Sequence, residues 1–207
     1  MIQKEIKNKN KLKVAVQMDD PHLLNKDTDS TLALIEEAIV KKYEVFVYTV
    51  NNLFLETNKP KAEGQNVINV DIKKKDFIKL GKRKVVQLDE YDVLLIRQDP
   101  PFNMKYITAT YILEKLGRKT KIINNPSSIR NCPEKLFVTK FYSLMPPTLI
   151  TLNEDRINAF LRKYRKVVIK PLFGNGGKDV FYASYKDPNI KVIIEKLYEN
   201  NEHLIIQ

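Results

Sequence analysis

The chain has 207 residues, enough for one large or two small domains, and 43% of them are hydrophobic, which excludes a disordered protein. A single cysteine excludes a disulfide framework and favours a reducing compartment such as the cytoplasm. The sequence has no apolar run of membrane-spanning length, and its charged first residues lack the apolar core of a secretory signal.

The 36 basic and 25 acidic residues give a net charge of +11. Five lysines and one glutamate fall within the first 13 residues, so about +4 of this charge lies there, and we predict a basic N-terminal tail over residues 1–12. The other lysines lie mostly in polar loops and on helix surfaces. Because no arginine-rich stripe or aromatic stacking motif accompanies them, a solvated surface is favoured over a nucleic-acid-binding face.

Strands and helices alternate over the first half of the chain, as in a mostly parallel α/β sheet domain. The run VLLI at residues 93–96 is typical of a central parallel strand. We predict strands at 13–17, 44–50, 91–97 and 121–124, helices at 28–42 and 103–116, and a hairpin with a polar loop at 72–84 in the interval between residues 51 and 90.

A second unit is predicted to begin near residue 131 and to mix helices and strands in an α+β arrangement. The predicted elements are a helix at 133–142, a strand at 148–151, a helix beginning near 154, a strand at 166–172, a strand at 180–184, a helix at 190–197 and a strand at 203–207.

The stretch VVIKPLFGNGGKDV places Lys170 at a strand end and a glycine-rich loop directly after it. Backbone N–H groups of Gly174, Asn175, Gly176 and Gly177 can approach a phosphate closely, and the lysine adds a positive charge. The spacing is not that of a Walker A loop, and a strand follows the loop, which excludes the dinucleotide-binding fingerprint. An ordinary glycine hairpin with a surface lysine is the open alternative.

Lys135 lies in the first turn of the helix predicted after Pro133. The helix dipole disfavours a cation there, which hints at a ligand, although a solvated helix lysine gives the same pattern. Arg97 and Asp99 follow a central strand, and Asp19 follows the first strand, so all three are predicted at the carboxyl edge of the sheet. The alternatives are a local arginine–aspartate pair in a rigid turn and a simple turn aspartate.

Taken together, six segments in order resemble bacterial glutathione synthetase, a family of the ATP-grasp superfamily, from about residue 13 to the end of the chain. The segments are VQMD with KDTDS, IRQDPPFN with ATYILE, INNPSSIRNCPEKLF, PPTLIT, VVIKPLFGNGGKDVF and LIIQ.

The resemblance implies a substrate-binding α/β domain (a pre-ATP-grasp domain) at 13–127 and the first, α+β subdomain of an ATP-grasp module at 128–207. It implies that Lys135 and Lys170 hold nucleotide phosphates and that the glycine loop covers them. By the same resemblance Gln207 begins the hinge that contacts adenine, and the edge residues Arg97, Asp99 and Asp19 border the dipeptide. It assigns no catalytic residue.

The implied reaction joins γ-glutamylcysteine and glycine at the expense of ATP, with Mg²⁺, in the cytoplasm. In the family the magnesium ligands follow the hinge, so we expect none in this chain, no turnover by it alone, and a homo-oligomer or a complementing C-terminal chain. We also expect the strand at 203–207 to lack neighbours. A non-catalytic fragment, another ATP-grasp carboxylate–amine ligase and a nucleic-acid-binding domain stay open as alternatives.

Overall fold

A computed structural model of the chain describes residues 11–174, 176–199 and 202–207. Most of the predicted basic tail, residues 1–10, and Asn175 of the glycine loop therefore lie outside the described residues. The chain divides into two compact units. Unit 1 ends at Arg130 but excludes the loop Pro100–Asn103, which belongs with Asn131–Gln207 in unit 2. Within the described ranges, no helix has the length and apolar character needed to cross a membrane.

Unit 1 is built on a seven-stranded sheet. Its elements are β1 (Lys13–Gln17), α1 (Ser30–Val40), β2 (Glu44–Tyr48), β3 (Leu53–Glu56), β4 (Lys59–Val70), β5 (Ile78–Gln87), β6 (Val93–Ile96), α2 (Met104–Leu113), β7 (Lys121–Ile123) and α3 (Pro126–Asn131). The strand order is β3-β4-β2-β1-β6-β7, with β5 paired to β4. Strands β2, β1, β6 and β7 are mutually parallel, which confirms the predicted α/β class, and the antiparallel strands β3 to β5 extend this core.

The two faces of this sheet carry separate hydrophobic cores. Helix α1 buries Leu32 and Ile35 against one face, and α2 contributes Leu113 to the other, where it joins Phe46 and Leu94. All five side chains are at most 1% exposed. Because side chains of a strand alternate between faces, burial on both faces explains the nearly continuous apolar runs of β1, β2 and β6.

The prediction of a polar loop at 72–84 is wrong in its second half, because β5 begins at Ile78. Ile78 is 7% exposed and Leu80 packs against the core beside α1, whereas the lysines of β5 are exposed. Two apolar anchors at alternate positions are enough to hold a strand whose solvent-facing side is basic.

Gly64 lets β4 approach β2 closely. A Cβ atom built on this residue would stand 2.2 Å from the backbone oxygen of Val47, 2.7 Å from Cζ of Phe46 and 2.9 Å from Cβ of Tyr48. These separations are far below van der Waals contact, so only glycine fits there without a shift of either strand.

Unit 2 contains a four-stranded antiparallel sheet that packs against two helices. Its elements are α4 (Glu134–Phe137), β8 (Leu149–Thr151), α5 (Glu154–Tyr164), β9 (Lys166–Pro171), β10 (Phe181–Ser184), α6 (Ile190–Tyr198) and β11 (Leu204–Ile206). The helix predicted over 133–142 is shorter, since α4 gives way to a 3₁₀ segment, Val138–Leu144, that is kinked at Phe141 (φ −113°, ψ 41°).

The expectation that the strand at 203–207 lacks neighbours is wrong. In the strand order β10-β9-β11-β8, β11 lies in the interior of the sheet and pairs antiparallel with both β9 and β8. Leu204, Ile205 and Ile206 are at most 2% exposed. The sequence of β8, about 50 residues earlier, supplies the partner that the prediction overlooked.

Candidate nucleotide and substrate sites

In unit 2, the side chain of Lys135 reaches from α4 to the base of the glycine loop. Its Nζ donates hydrogen bonds to the backbone oxygen of Pro171, at 2.8 Å, and to that of Gly174. Partial burial lowers the pKa of the Lys135 ammonium; the charge of Glu134 opposes this shift and the charge of Lys170 adds to it. The two lysines therefore interact electrostatically beside the loop, and Lys135 is not a solvated helix lysine.

The glycine loop closes an antiparallel hairpin between β9 and β10. Gly176 and Gly177 adopt φ values of 60° and 72°, and a Cβ atom on either would meet nothing within 4 Å. Their positive φ angles, rather than crowding, explain the choice of glycine. The backbone is thus that of a glycine hairpin, and Lys135 contacts it through the oxygen atoms of Pro171 and Gly174.

Gln207 continues the pairing of β11 by one residue. Its backbone N–H donates to the oxygen of Val168 at 3.0 Å and its oxygen accepts from the Val168 N–H at 2.7 Å. Its side-chain Nε2 donates to Oγ1 of Thr148 at 3.1 Å. Thr148 also borders an open groove of about 580 Å³. The other residues lining the groove are Thr139, Tyr142, Met145, Pro146, Pro147, Ile150 and Tyr164.

The described residues form no cluster that could hold a magnesium ion by protein side chains alone. Among residues 11–174, 176–199 and 202–207, no group of three or more His, Cys, Asp or Glu side chains could hold a metal. Mg²⁺ prefers a nearly octahedral set of oxygen ligands, so a site with fewer protein carboxylates would depend on water and phosphate oxygens. We therefore assign the ion no ligand in this part of the chain.

In unit 1, the three predicted edge residues come together because β1 and β6 are parallel neighbours. Asp19 follows β1, and Arg97 and Asp99 follow β6. The backbone N–H of Asp99 donates to Oδ2 of Asp19 at 2.7 Å, so one carboxylate is fixed against the backbone of the other residue.

Arg97 binds the first turn of α1 and is not held by a local pair with Asp99. Its Nε donates to Oγ1 of Thr31 at 3.1 Å, and its Nη2 donates to Oγ of Ser30 at 2.8 Å. Asp29 caps the same turn through the N–H groups of Thr31 and Leu32. The capping aspartate offsets the unfavourable placement of a cation at a helix N-terminus.

Sequence reasoning missed Tyr106 in the first turn of α2. Burial raises the pKa of its phenol, Asp99 and Asp19 raise it further, and Arg97 lowers it, so the ring lies within the field of all three edge residues. It also missed Ser30, because a serine at the start of a predicted helix indicates only a helix cap and not a contact with Arg97. Both side chains reach the edge through tertiary packing, for which local spacing carries no signal.

Comparison with known proteins matches almost the whole chain to one family. A family model described as "Prokaryotic glutathione synthetase, N-terminal domain" matches residues 12–130, and one described as "Prokaryotic glutathione synthetase, ATP-grasp domain" matches residues 134–207. A glutathione synthetase of Rhodopseudomonas palustris is 46% identical over 178 residues, which are 86% of this chain and 56% of that protein. One of Buchnera aphidicola subsp. Schizaphis graminum is 35% identical over 193 residues, or 93% and 60% of the two chains.

The chain thus spans less than two thirds of the length of these relatives. Among solved structures, the VanG D-Ala:D-Ser ligase of Enterococcus faecalis is similar with a TM-score of 0.61 at 13% identity, over 95% of this chain and 62% of that one. The D-alanyl-alanine synthetase A of Vibrio cholerae gives 0.60 at 12% identity, over 95% and 60%. At these identities the likeness shows a shared fold.

Proposed function

The chain belongs to the prokaryotic glutathione synthetase family, and on that premise we propose that it serves the ATP-dependent ligation of γ-glutamylcysteine to glycine. We assign substrate binding to residues 13–127 and nucleotide binding to residues 128–207. The observation that carries the proposal is the position of Lys135, which binds the backbone at the base of a glycine loop and interacts there with Lys170. Two cations beside a loop of this kind suit the phosphates of a nucleotide.

In the proposed reaction, the cysteinyl carboxylate of the dipeptide attacks the γ-phosphorus of ATP, ADP leaves, and an acyl phosphate forms. The amine of glycine then attacks the acyl carbon, phosphate leaves with the bonding electron pair, and the nitrogen loses a proton to the departing phosphate or to water. We assign the neutralisation of charge on the transferred group to Lys135 and Lys170. Phosphate oxygens are assigned to the backbone N–H groups of Gly176 and Gly177. Gln207 is assigned to the adenine.

The edge of unit 1 offers groups of both signs to the dipeptide. A guanidinium carries five N–H donors, and those of Arg97 that do not bind Ser30 and Thr31 can take a carboxylate. The carboxylates of Asp19 and Asp99 can accept from an ammonium group. The γ-glutamyl end of the dipeptide carries an α-carboxylate and an α-ammonium, which supports its assignment to this edge.

The remaining requirements of the reaction are assigned outside the described residues. We propose that Mg²⁺ is held by ATP and by groups beyond these residues, in a homo-oligomer or with a complementing C-terminal chain. The cytoplasm is the proposed compartment, on the basis of the family and of the single cysteine.

Nucleotide binding is tested by titrating ATP into the whole chain in a calorimeter. Lys135→Met and Lys170→Met are each expected to weaken ATP binding at least tenfold, since each removes a cation beside the phosphates. Lys191→Met, at a lysine whose side chain is 75% exposed on α6, is the control and should bind as the wild type does. Equal affinity in all four proteins would overturn the nucleotide assignment.

The ligase reaction is tested by measuring ADP release with γ-glutamylcysteine, glycine and Mg²⁺, and again with each substrate omitted. From the isolated chain we expect ATP binding without turnover, because its described residues hold no metal cluster. Release at roughly 1–1000 per second that needs both substrates would establish the reaction and refute the expected dependence on further groups. Release that does not respond to the dipeptide would contradict the substrate assignment.

A further inference from the structure

Gln17 is a buried amide in the central strand of unit 1, at a position where an apolar side chain would pack. It is 1% exposed and ends β1, whose three preceding residues are all apolar and buried. Its Nε2 donates to Oε1 of Gln98, which is 7% exposed. The Oε1 atom of Gln17 and the hydroxyl of Tyr48, its register partner on β2, are buried without a hydrogen-bond partner among the described residues.

The Oε1 atom of Gln17, unpaired within the described ranges, costs free energy, which an apolar residue at position 17 would avoid only by giving up the hydrogen bond to Gln98. A buried polar contact fixes one arrangement where apolar contacts allow several, so the bond between Gln17 and Gln98 can specify the geometry of its surroundings.

Gln17 lies at the carboxyl edge of the sheet, where Asp19, Arg97 and Asp99 are assigned to the dipeptide. Residues 97, 98 and 99 each form one hydrogen bond with the segment 17–19. The N–H of Arg97 donates to the backbone oxygen of Gln17 at 2.7 Å, the Gln17 amide donates to the side chain of Gln98, and the N–H of Asp99 donates to Oδ2 of Asp19 at 2.7 Å. The hydrogen bond between Gln17 and Gln98 is the only one of these three that joins two side chains. Gln98 lies between Arg97 and Asp99, the residues assigned to the dipeptide.

We propose that Gln17, acting through Gln98, is a positioning residue for the dipeptide: it fixes the backbone from which Arg97 and Asp99 reach the substrate. This inference rests on the proposed function for the identity of the ligand. Gln17 is too deeply buried to touch the dipeptide, so its effect must pass through Gln98. Substrate groups must be held to within a fraction of an ångström, so a looser edge weakens binding even though no contact with the substrate is removed.

The test compares Gln17→Met with Gln65→Met in the whole chain. Methionine matches the length of glutamine without its polar atoms. Gln65 is a fair control because it is a partly buried glutamine of the same unit whose Nε2 donates a single hydrogen bond, to the backbone oxygen of Gly81 at 2.7 Å, on β4 and β5. Three quantities are measured on each protein: the thermal midpoint, the affinity for γ-glutamylcysteine and, as an internal reference, the affinity for ATP.

We expect Gln17→Met to weaken dipeptide binding about tenfold, to leave ATP binding unchanged and to keep the thermal midpoint of the wild type, whereas Gln65→Met leaves both affinities unchanged. A tenfold change corresponds to about 1.4 kcal/mol, the size of one hydrogen bond. If Gln17→Met binds the dipeptide as tightly as the wild type, the proposal is overturned.

Amide hydrogen exchange of the ligand-free proteins separates this proposal from the proposed function. Exchange at the N–H of Asp99 should be about tenfold faster in Gln17→Met than in the wild type and unchanged in Gln65→Met. Unchanged exchange in Gln17→Met overturns the positioning role whether or not the dipeptide binds. Faster exchange in a chain whose wild type does not bind the dipeptide would support the positioning of the edge and contradict the proposed substrate.

Discussion

Replacing Gly64 by alanine is expected to break the contact between β4 and β2. The added Cβ atom would lie 2.2 Å from the backbone oxygen of Val47, and that oxygen cannot turn aside as a flexible side chain would. The second contact, 2.7 Å to the ring of Phe46, involves a side chain that is fully buried. Relief therefore requires the strands to separate, where Val47 pairs with Gln65 in register.

The magnitude follows from the cost of overpacking a well-filled interior, typically 1–3 kcal/mol and more when backbone must move. We expect Gly64→Ala to cost about 3 kcal/mol or more. For a chain of this size, each kcal/mol lowers the unfolding midpoint by about 2–4 °C, so a fall of about 6–12 °C is expected.

The assay is thermal unfolding followed by circular dichroism, with the urea midpoint as a second measure. Gly117→Ala is the matched control, because a Cβ atom there meets nothing within 4 Å. Removing a glycine from an unstrained, open position should change stability by less than about 1 kcal/mol. A midpoint for Gly64→Ala that lies within about 2 °C of that for Gly117→Ala would refute the close approach of the two strands. This threshold is about the smallest shift expected from 1 kcal/mol.

Three further predictions follow. Ile206→Ala should cost about 2–5 kcal/mol in urea unfolding, because the side chain is fully buried, while Val192→Ala, at a residue 64% exposed, should cost little. Arg130→Met should cost about 1–3 kcal/mol, because the guanidinium binds both oxygens of a glutamate and stacks 4.0 Å from a tyrosine ring. In a lysine-selective NMR titration, the pKa of Lys135 should lie below 10.5 and that of Lys41, raised by a hydrogen bond to a glutamate, above it. Because the folded chain releases the Lys135 proton before the unfolded chain does, this group adds stability as the pH rises toward 10.5.

The sequence predicted the parallel core well, because buried central strands are recorded directly as apolar runs. The run at 93–96 is β6, and the ends of β1 and β6 place Asp19, Arg97 and Asp99 at one edge as expected. The same signal fails where only one face is buried. Over residues 78–84, strand β5 carries four basic residues and only two apolar anchors, so its pattern resembles a loop, and its pairing with β4 is what defines it as a strand.

In the candidate sites too, neighbours in sequence could be predicted and contacts between distant residues could not. The glycine loop and Lys170 are adjacent in sequence, so local reasoning joined them. The hydrogen bonds from Lys135 cross 36 and 39 residues, and those from Arg97 to α1 cross 66 and 67, so only the fold determines them. The resemblance to a known family supplied the role of Lys135, but the carbonyl oxygens that this lysine binds, and the buried Gln17, have no local signature.

The interior position of β11 sets an order on the folding of unit 2. Strands β8 and β9 flank β11 in the sheet, yet β11 is synthesised about 50 residues after β8. As the chain leaves the ribosome, β8 lacks its partner among the described strands, and one side of β9 stays open, until β11 has emerged. During that interval the nascent sheet exposes strand edges to other chains, and helix α5 has only part of its packing surface. The sheet of unit 2 can therefore be completed only after β11 has been synthesised, whereas in unit 1 β1 and β2 can pair as soon as residue 48 has emerged.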